Sequence, residues 1–369
     1  MKQRFLQLTI IATGLILCCS TMQAQKQSDT ARVQKKTDTI RAQKKFDFAF
    51  IGGPNYASDT KLGLGAVATG KYYTVRDSLT SPSNVAIFGN ISTSGFFSLG
   101  IRGNNFFEED RNRIDYELKF YSFPSNIWGF GYYNGDNDSN ESSYKRIQVS
   151  FKGDFMHELA PNLFAGPHLE YDFIRGSNYK DSTFIIGLRN ITRSFGYGAA
   201  ICYDTRDYIP NPYCGTYVKL SQINYVEPGQ KPYFKSILNA DYYKTVWKGG
   251  VIALDYYQEF SYGKTPWTML ALMGGSYRMR GYYEGRYRDK NLVCFQAELR
   301  QNIWRRHGLT FWTGAGNIWG IDKFQWGHTL PNVGIGYRFR IKNRTNVRLD
   351  YGLGKHWQSG ITFQIDEAF

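Results

Sequence analysis

Along "NVGIGYRFRIKN" (332–343) apolar residues alternate with polar residues or glycine: Val333, Ile335, Tyr337, Phe339 and Ile341 fall on one face, Gly334, Gly336, Arg338, Arg340 and Lys342 on the other. Period two marks a strand, because successive side chains leave an extended backbone on opposite sides. "NVRLDYGLG" repeats the pattern, with Val347, Leu349, Tyr351 and Leu353 opposing Arg348, Asp350, Gly352 and Gly354. In "VCFQAELR", Val293, Phe295, Ala297 and Leu299 oppose Cys294, Gln296, Glu298 and Arg300. From Phe46 to Phe369 the chain is a succession of such segments broken by Gly, Asn, Asp and Pro. Eleven run from KLGLGAVATGKYYT (61–74) to TPWTMLALMGG (265–275), and five more from NLVCFQAELRQNIW (291–304) to SGITFQIDEAF (359–369), a total of about sixteen. FDFAFIGGPNY, ahead of the first, reads as a lead-in inside or just below the folded body.

A soluble sandwich would turn its oily faces inward to a dry core. Here tyrosine and phenylalanine lie on the oily face, while the opposite face carries charge and glycine along its length. That arrangement is inside-out. It predicts an all-β fold, a transmembrane antiparallel β-barrel of about sixteen strands over 46–369, with lipid outside and a polar lumen. Closure is required because an open sheet edge in hydrocarbon strands N–H and C=O groups at several kcal/mol each.

Composition agrees: aromatic residues are 17% of the chain, with 28 Tyr, as in barrels girdled at both membrane interfaces. Lys2 and Arg4 precede an apolar run, Phe5 to Cys19, of about fifteen residues, short of the roughly twenty a membrane helix needs. With small Ala24 before Gln25, residues 1–24 read as a secretory signal. Residues 25–45, with seven basic and two acidic side chains and no apolar period, read as a disordered basic lead-in. The formal charge of +14 less the two charges of Lys2 and Arg4 leaves +12. For an exported chain this points to lipopolysaccharide, anionic outer-membrane lipid or an acidic polymer and away from nucleic acid. Past the signal, Cys202, Cys214 and Cys294 are too few and scattered for a disulfide framework.

Catalytic patterns are missing. Gly63, Gly65 and Ala68 mimic a dinucleotide fingerprint but lack a strand-turn-helix setting, and small lumen-facing residues explain them. His157-Glu158 has no second histidine four residues on, there is no G-x-S-x-G, and the five histidines have no metal-ligand spacing. The reading assigns no catalytic, cofactor or metal residue and no enzyme activity.

Two stretches are more specific. "SYRMRGYYEGRYRDKN" (276–291) concentrates cations and aromatics between two strands, with Arg278, Arg280, Gly281 and Tyr282 at its centre. "QSGITFQIDEAF" gives Gln358, Gly360, Phe363 and Ile365, then Phe369, the pattern of a last barrel strand read by edge pairing. Together with "YDTRDYIPNPYCG" (Asp204, Thr205, Arg206, Asp207), "AELR" (Glu298), "GNIW" and "RLDYG", the arginine loop resembles the barrel domain of the BamA/TamA family, or bacterial surface antigens, over about 194–369.

The resemblance implies a sixteen-stranded barrel in a Gram-negative outer membrane whose long loop folds back into the lumen, with Arg280 pairing with acids on the inner wall. Glu298 matches one such acid. The other falls on Gly314, which implies a loop held by one acid fewer. Family members insert or translocate proteins by opening the seam between first and last strands, and recruit unfolded outer-membrane proteins through periplasmic POTRA repeats. Residues 25–45 leave no room for such repeats, so a bare barrel or one served by periplasmic partner proteins is expected. The alternative is a passive, anion-favouring pore lined by Arg300, Arg338, Arg340, Lys342 and Arg348. A surface adhesin has only the polar "NGDNDSNESS" loop in its favour.

Overall fold

The computed structural model describes residues 46–75, 80–342, 344–365 and 367–369; the expected signal and basic lead-in lie outside the described residues, as do the side chains of Phe46 and Lys342. The period-two segments form strands β1 (Phe46–Ala57), β2 (Lys61–Tyr72), β3 (Ser83–Ser92), β4 (Phe97–Phe107), β5 (Asn112–Ile127), β6 (Ser142–Ala160), β7 (Leu163–Ser177), β8 (Ile191–Asp204) and β9 (Gly215–Val226). They continue with β10 (Tyr233–Trp247), β11 (Gly250–Gly263), β12 (Ala271–Leu272), β13 (Arg288–Asp289), β14 (Asn291–Trp304), β15 (His307–Trp319), β16 (Leu330–Lys342), β17 (Thr345–Gly354) and β18 (Ser359–Ile365). All but β12 and β13 close one antiparallel barrel of sixteen strands, in which β11 pairs with β14 and β1 meets β18. The two-residue strands β12 and β13 pair only with each other.

The expected total of about sixteen holds through two offsetting corrections. FDFAFIGGPNY is no lead-in: it is β1, paired with β2 from Phe46 opposite Tyr72 to Ala57 opposite Lys61. Gly52-Gly53-Pro54 disguised it, since glycine and proline are depleted in strands and proline survives mainly at an edge. TPWTMLALMGG, by contrast, is no barrel strand. Trp267–Met269 is a 3-10 turn, and Trp267 and Leu270 pack against Ile127 and Tyr144 in an interior cluster. Its apolar run is continuous because it is buried all round, not because it alternates.

Elsewhere the alternation sorts as the pattern requires. On β14, Cys294, Gln296, Glu298 and Arg300 are buried while Phe295 is exposed between them. Phe48, Phe50, Leu62, Leu64, Phe311 and Ile335 likewise point outward and are exposed. A water-facing wall would not carry so much apolar surface, whereas a lipid-facing wall needs it. The largest apolar core lies inside the barrel, where Met273, Met279, Tyr282 and Tyr287 of the 264–290 connection meet Leu292 and Ile318 of the wall. Connections are long at one end (128–141, 178–190, 264–290 and 320–329) and mostly tight at the other (161–162, 248–249 and 305–306). Bacterial barrels place long loops outside the cell and short turns in the periplasm.

Candidate functional site

The 264–290 connection leaves β11, forms the β12–β13 ladder, and sends residues 273–287 down the lumen. Met273 N–H donates to Tyr287 O and Gly285 N–H to Met273 O, which zip the stem, and Tyr282 N–H donates to Met279 O at the tip. The tip needs Gly281. Its φ is +114°, and a Cβ there would lie 2.8 Å from Gly352 C and 2.9 Å from Leu353 N. The wall yields in turn: a Cβ on Gly352 would meet Arg280 O at 2.3 Å, and one on Gly354 would meet the Tyr282 ring at 2.4 Å. Gly360 lies beside Gly281 as well. A track of side-chain-free positions on β17 and β18 thus receives the loop tip.

Arg280 is held by charge. Its Nη2 donates to Glu298 Oε2 at 2.5 Å and its Nη1 to Asp350 Oδ2 at 2.9 Å, and its guanidinium lies 3.7 Å over the Trp312 ring. Arg280, Glu298 and Asp350 are each about 1% exposed, so the interaction is little screened by water. The expectation of one acid fewer is corrected: Gly314 contributes none, but Asp350 of "RLDYG" supplies the second carboxylate from β17. The alternation places Asp350 on the lumenal face between Arg348 and the glycine track, a signal present in the sequence. Trp312 carried no comparable signal.

Arg278 docks separately, donating from Nε to Asp255 Oδ2 at 2.9 Å and lying 4.4 Å over the Tyr257 ring. Tyr282 donates its hydroxyl proton to Pro331 O at 2.5 Å and accepts from Lys355 N–H at 2.7 Å. At the loop's base Arg286 donates to Gly135 O and Asp138, within the polar loop "NGDNDSNESS". Lys355 bridges to Asp136, and its ammonium, with the Tyr287 hydroxyl, holds the Asp136 carboxyl below its usual value against the opposing effect of desolvation.

A wider buried network surrounds Arg280. Arg300 Nε donates to Glu298 Oε1 at 2.7 Å, Arg338 bridges Asp350 and Glu367, and Arg348 Nη1 donates to Asp350 Oδ2 at 2.7 Å. Glu367 comes from the chain's end. Strand β18 stops at Ile365, and Phe369, read in the sequence as the last residue of that strand's pattern, lies beyond it, where its main-chain oxygen accepts from Arg300 Nη2 at 2.7 Å. Of the other end-strand residues, Gln358 lies in the turn before β18 and donates to the Tyr287 hydroxyl. Phe363 and Ile365 lie in the strand and Gly360 faces the loop.

At the short-turn end the 205–214 connection folds on itself. Asp204 accepts from Arg206 Nε and Nη2, both at 3.0 Å. Thr205 and Thr216 pair through backbone and hydroxyl. Asp207 accepts from Tyr213 N–H and from Arg344 Nη1 at 2.7 Å. The Arg344 guanidinium and the backbone amides hold its carboxyl below the usual range, desolvation opposing. Because Arg344 lies between β16 and β17, the segment is a strap across the mouth.

The seam between β1 and β18 is short. Tyr56 stands opposite Phe363 and Ala57 opposite Thr362, extended by one bond from Ser58 N–H to Ile361 O. In an antiparallel ladder N–H groups two residues apart face the same neighbour, so Ser58, Tyr56 and position 54 address β18. Position 54 is Pro54, with no N–H to give. The ladder fails there, and the rest of β1's outer edge has no strand partner among the described residues. Cys202, Cys214 and Cys294 are unbridged.

The Omp85 superfamily domain profile matches residues 88–365. Among solved structures, BamA from Haemophilus ducreyi lacking POTRA domains 1–3 superposes with a TM-score of 0.57 at 14% identity, over 88% of this chain and 70% of that one. CdiB from Escherichia coli gives 0.61 at 12%, over 89% and 64%. CdiB from Acinetobacter baumannii gives 0.58 at 10%, over 89% and 60%. At such identities the likeness shows the fold, and this chain spans less than two thirds of either CdiB. No curated protein sequence matches.

Proposed function

Because the chain belongs to the Omp85 superfamily, we propose that it is an outer-membrane barrel that inserts or translocates other proteins through the β1–β18 seam. The observation that carries this reading is the seam itself, two residue pairs long beside a β1 that is fully paired on its other side. A strand edge with unpaired N–H and C=O groups is a template for another extended chain. The substrates on this reading are unfolded outer-membrane proteins, brought by periplasmic partners, and the outward apolar belt sits in outer-membrane lipid and lipopolysaccharide.

The anion-favouring pore has less support. Arg300, Arg338 and Arg348 are buried and ion-paired on the lumenal wall, while Arg340 is half-exposed and donates to Arg305 O. Cations already neutralised select ions weakly.

Depletion of the protein should lower the levels of other outer-membrane proteins, and unchanged levels would remove the reading. A cysteine pair replacing Ala57 and Thr362 tests the route. These residues form a non-hydrogen-bonded pair, whose close Cβ atoms suit a disulfide. The oxidised barrel should lose activity and regain it on reduction; full activity when cross-linked would exclude passage through the seam.

A further inference from the structure

Near the short-turn end a cavity of about 170 Å³ lies between the strap (Asn211, Tyr213), the turns at 249 and 306–308, and the lumenal wall of β14, β15 and β16. Register sets three of its lining side chains beside one another. Thr310 on β15 stands opposite Arg300 on β14, and Arg338 on β16 stands opposite Gly308, two residues before Thr310 on the same face. Gly308 contributes no side chain, which leaves the space open.

All three are more than nine-tenths buried, and each keeps a polar atom without a partner among the described residues: Arg300 Nη1, Arg338 Nη2 and Thr310 Oγ1. A buried, unsatisfied donor costs about 1–3 kcal/mol, more when charged. The arginines of the connected cluster, Arg280, Arg300, Arg338 and Arg348, are ion-paired with Glu298, Asp350 and Glu367, and Arg300 also donates to the Phe369 main-chain oxygen, so what is left over here is donor capacity. Arg306 and Arg340 add positive charge to the cavity lining, where Glu367 is the one acid among the described residues.

We propose that this cavity is a binding site for a phosphate group, held by Arg300 Nη1, Arg338 Nη2 and Thr310 Oγ1. Donors arriving from three successive strands suit a tetrahedral oxyanion, which offers oxygens in several directions, whereas a planar carboxylate is satisfied by a single guanidinium fork. The phosphate arrives either as the free ion or as the headgroup of a phospholipid. Exposed Ile303 and Trp304 beside the 305–306 turn, with Arg305 over the Trp304 ring, make an interfacial rim next to the cavity.

The test uses the full chain in a phosphate-free maltoside detergent, titrated with inorganic phosphate and, separately, with dihexanoyl phosphatidylglycerol below its micelle concentration. Saturable binding is expected, with a rise in unfolding temperature as ligand is added. Tighter binding of the lipid assigns the headgroup, and equal or tighter binding of the ion assigns free phosphate. Thr310→Val removes one donor and no ion pair, so it should weaken binding about tenfold without lowering the ligand-free unfolding temperature. The double variant Arg306→Gln/Arg340→Gln should weaken binding and flatten its salt dependence. No saturable binding of either probe at millimolar concentration, or Thr310→Val binding as tightly as the wild type, would overturn the proposal and leave a water-filled void.

Discussion

Arg280 shows what a single buried charge demands. Removing it leaves Glu298 and Asp350 buried with one cation fewer each, and breaking a buried pair costs about 3–5 kcal/mol. Glu298 retains Arg300, and Asp350 retains Arg338 and Arg348, so Arg280→Ala should fall near the lower end. The expected result is a lower unfolding temperature in detergent and a protease-sensitive 273–287 segment. Arg280→Lys should recover little, because one ammonium cannot bridge two carboxylates as a fork does. Asp59, in the β1–β2 turn, offers a test with the opposite sign. Burial first, and then the nearby Glu284, push its carboxyl up to about 7. Below the unfolded value near 4 the group is protonated in both states and costs nothing. As pH rises from about 4 to 7 the folded state holds the proton the unfolded state has released, so stability falls. Asp59→Asn should therefore raise the unfolding temperature at pH 8 and leave it unchanged at pH 4; equal effects at both would contradict the assignment.

Among elements, β1 and β18 differ from the rest. Pro54 withholds the N–H that would face Ile365 in the β18 register, and beyond Ile365 the chain turns into the lumen, where Glu367 meets Arg338. Pro54→Val would restore the donor and add a β-branched side chain on an outward position. Hydrogen exchange should slow over 50–57, and the unfolding temperature should rise by a few degrees, since one added hydrogen bond contributes about 0.5–1.5 kcal/mol. Unchanged exchange would mean that the tail, not the proline, keeps the seam short. Most elements were legible in the pattern because period two survives wherever lipid lies on one side and charge on the other. It failed at β1, where Gly52, Gly53 and Pro54 interrupt it, and at TPWTMLALMGG, where full burial erases the contrast between faces.

For the whole molecule, the lumen is obstructed from both ends. The 273–287 segment fills it from the long-loop side and the 205–214 strap, tied by Arg344 to Asp207, crosses the other. Planar-bilayer recordings should therefore show small or no steady conductance. Deleting 278–288 should produce large openings, because the tip that meets Gly352 and Gly354 is gone. Large steady conductance in the intact protein would mean that the loop does not stay docked.

The sequence by itself determined most of the wall: which residues of the period-two strands face outward, that Glu298 faces the lumen, and that an arginine placed there would need a carboxylate. These follow from alternation and the cost of a lone buried charge, both local or pairwise properties of the chain. Tertiary structure decided the rest. Asp350 replaces the acid missing at Gly314 because β17 runs beside the loop tip, and Phe369 turns inward because Arg300 and Arg338 stand behind the seam. Strand pairing brings residues together across tens or hundreds of positions, and no local pattern records which neighbour a buried charge will find.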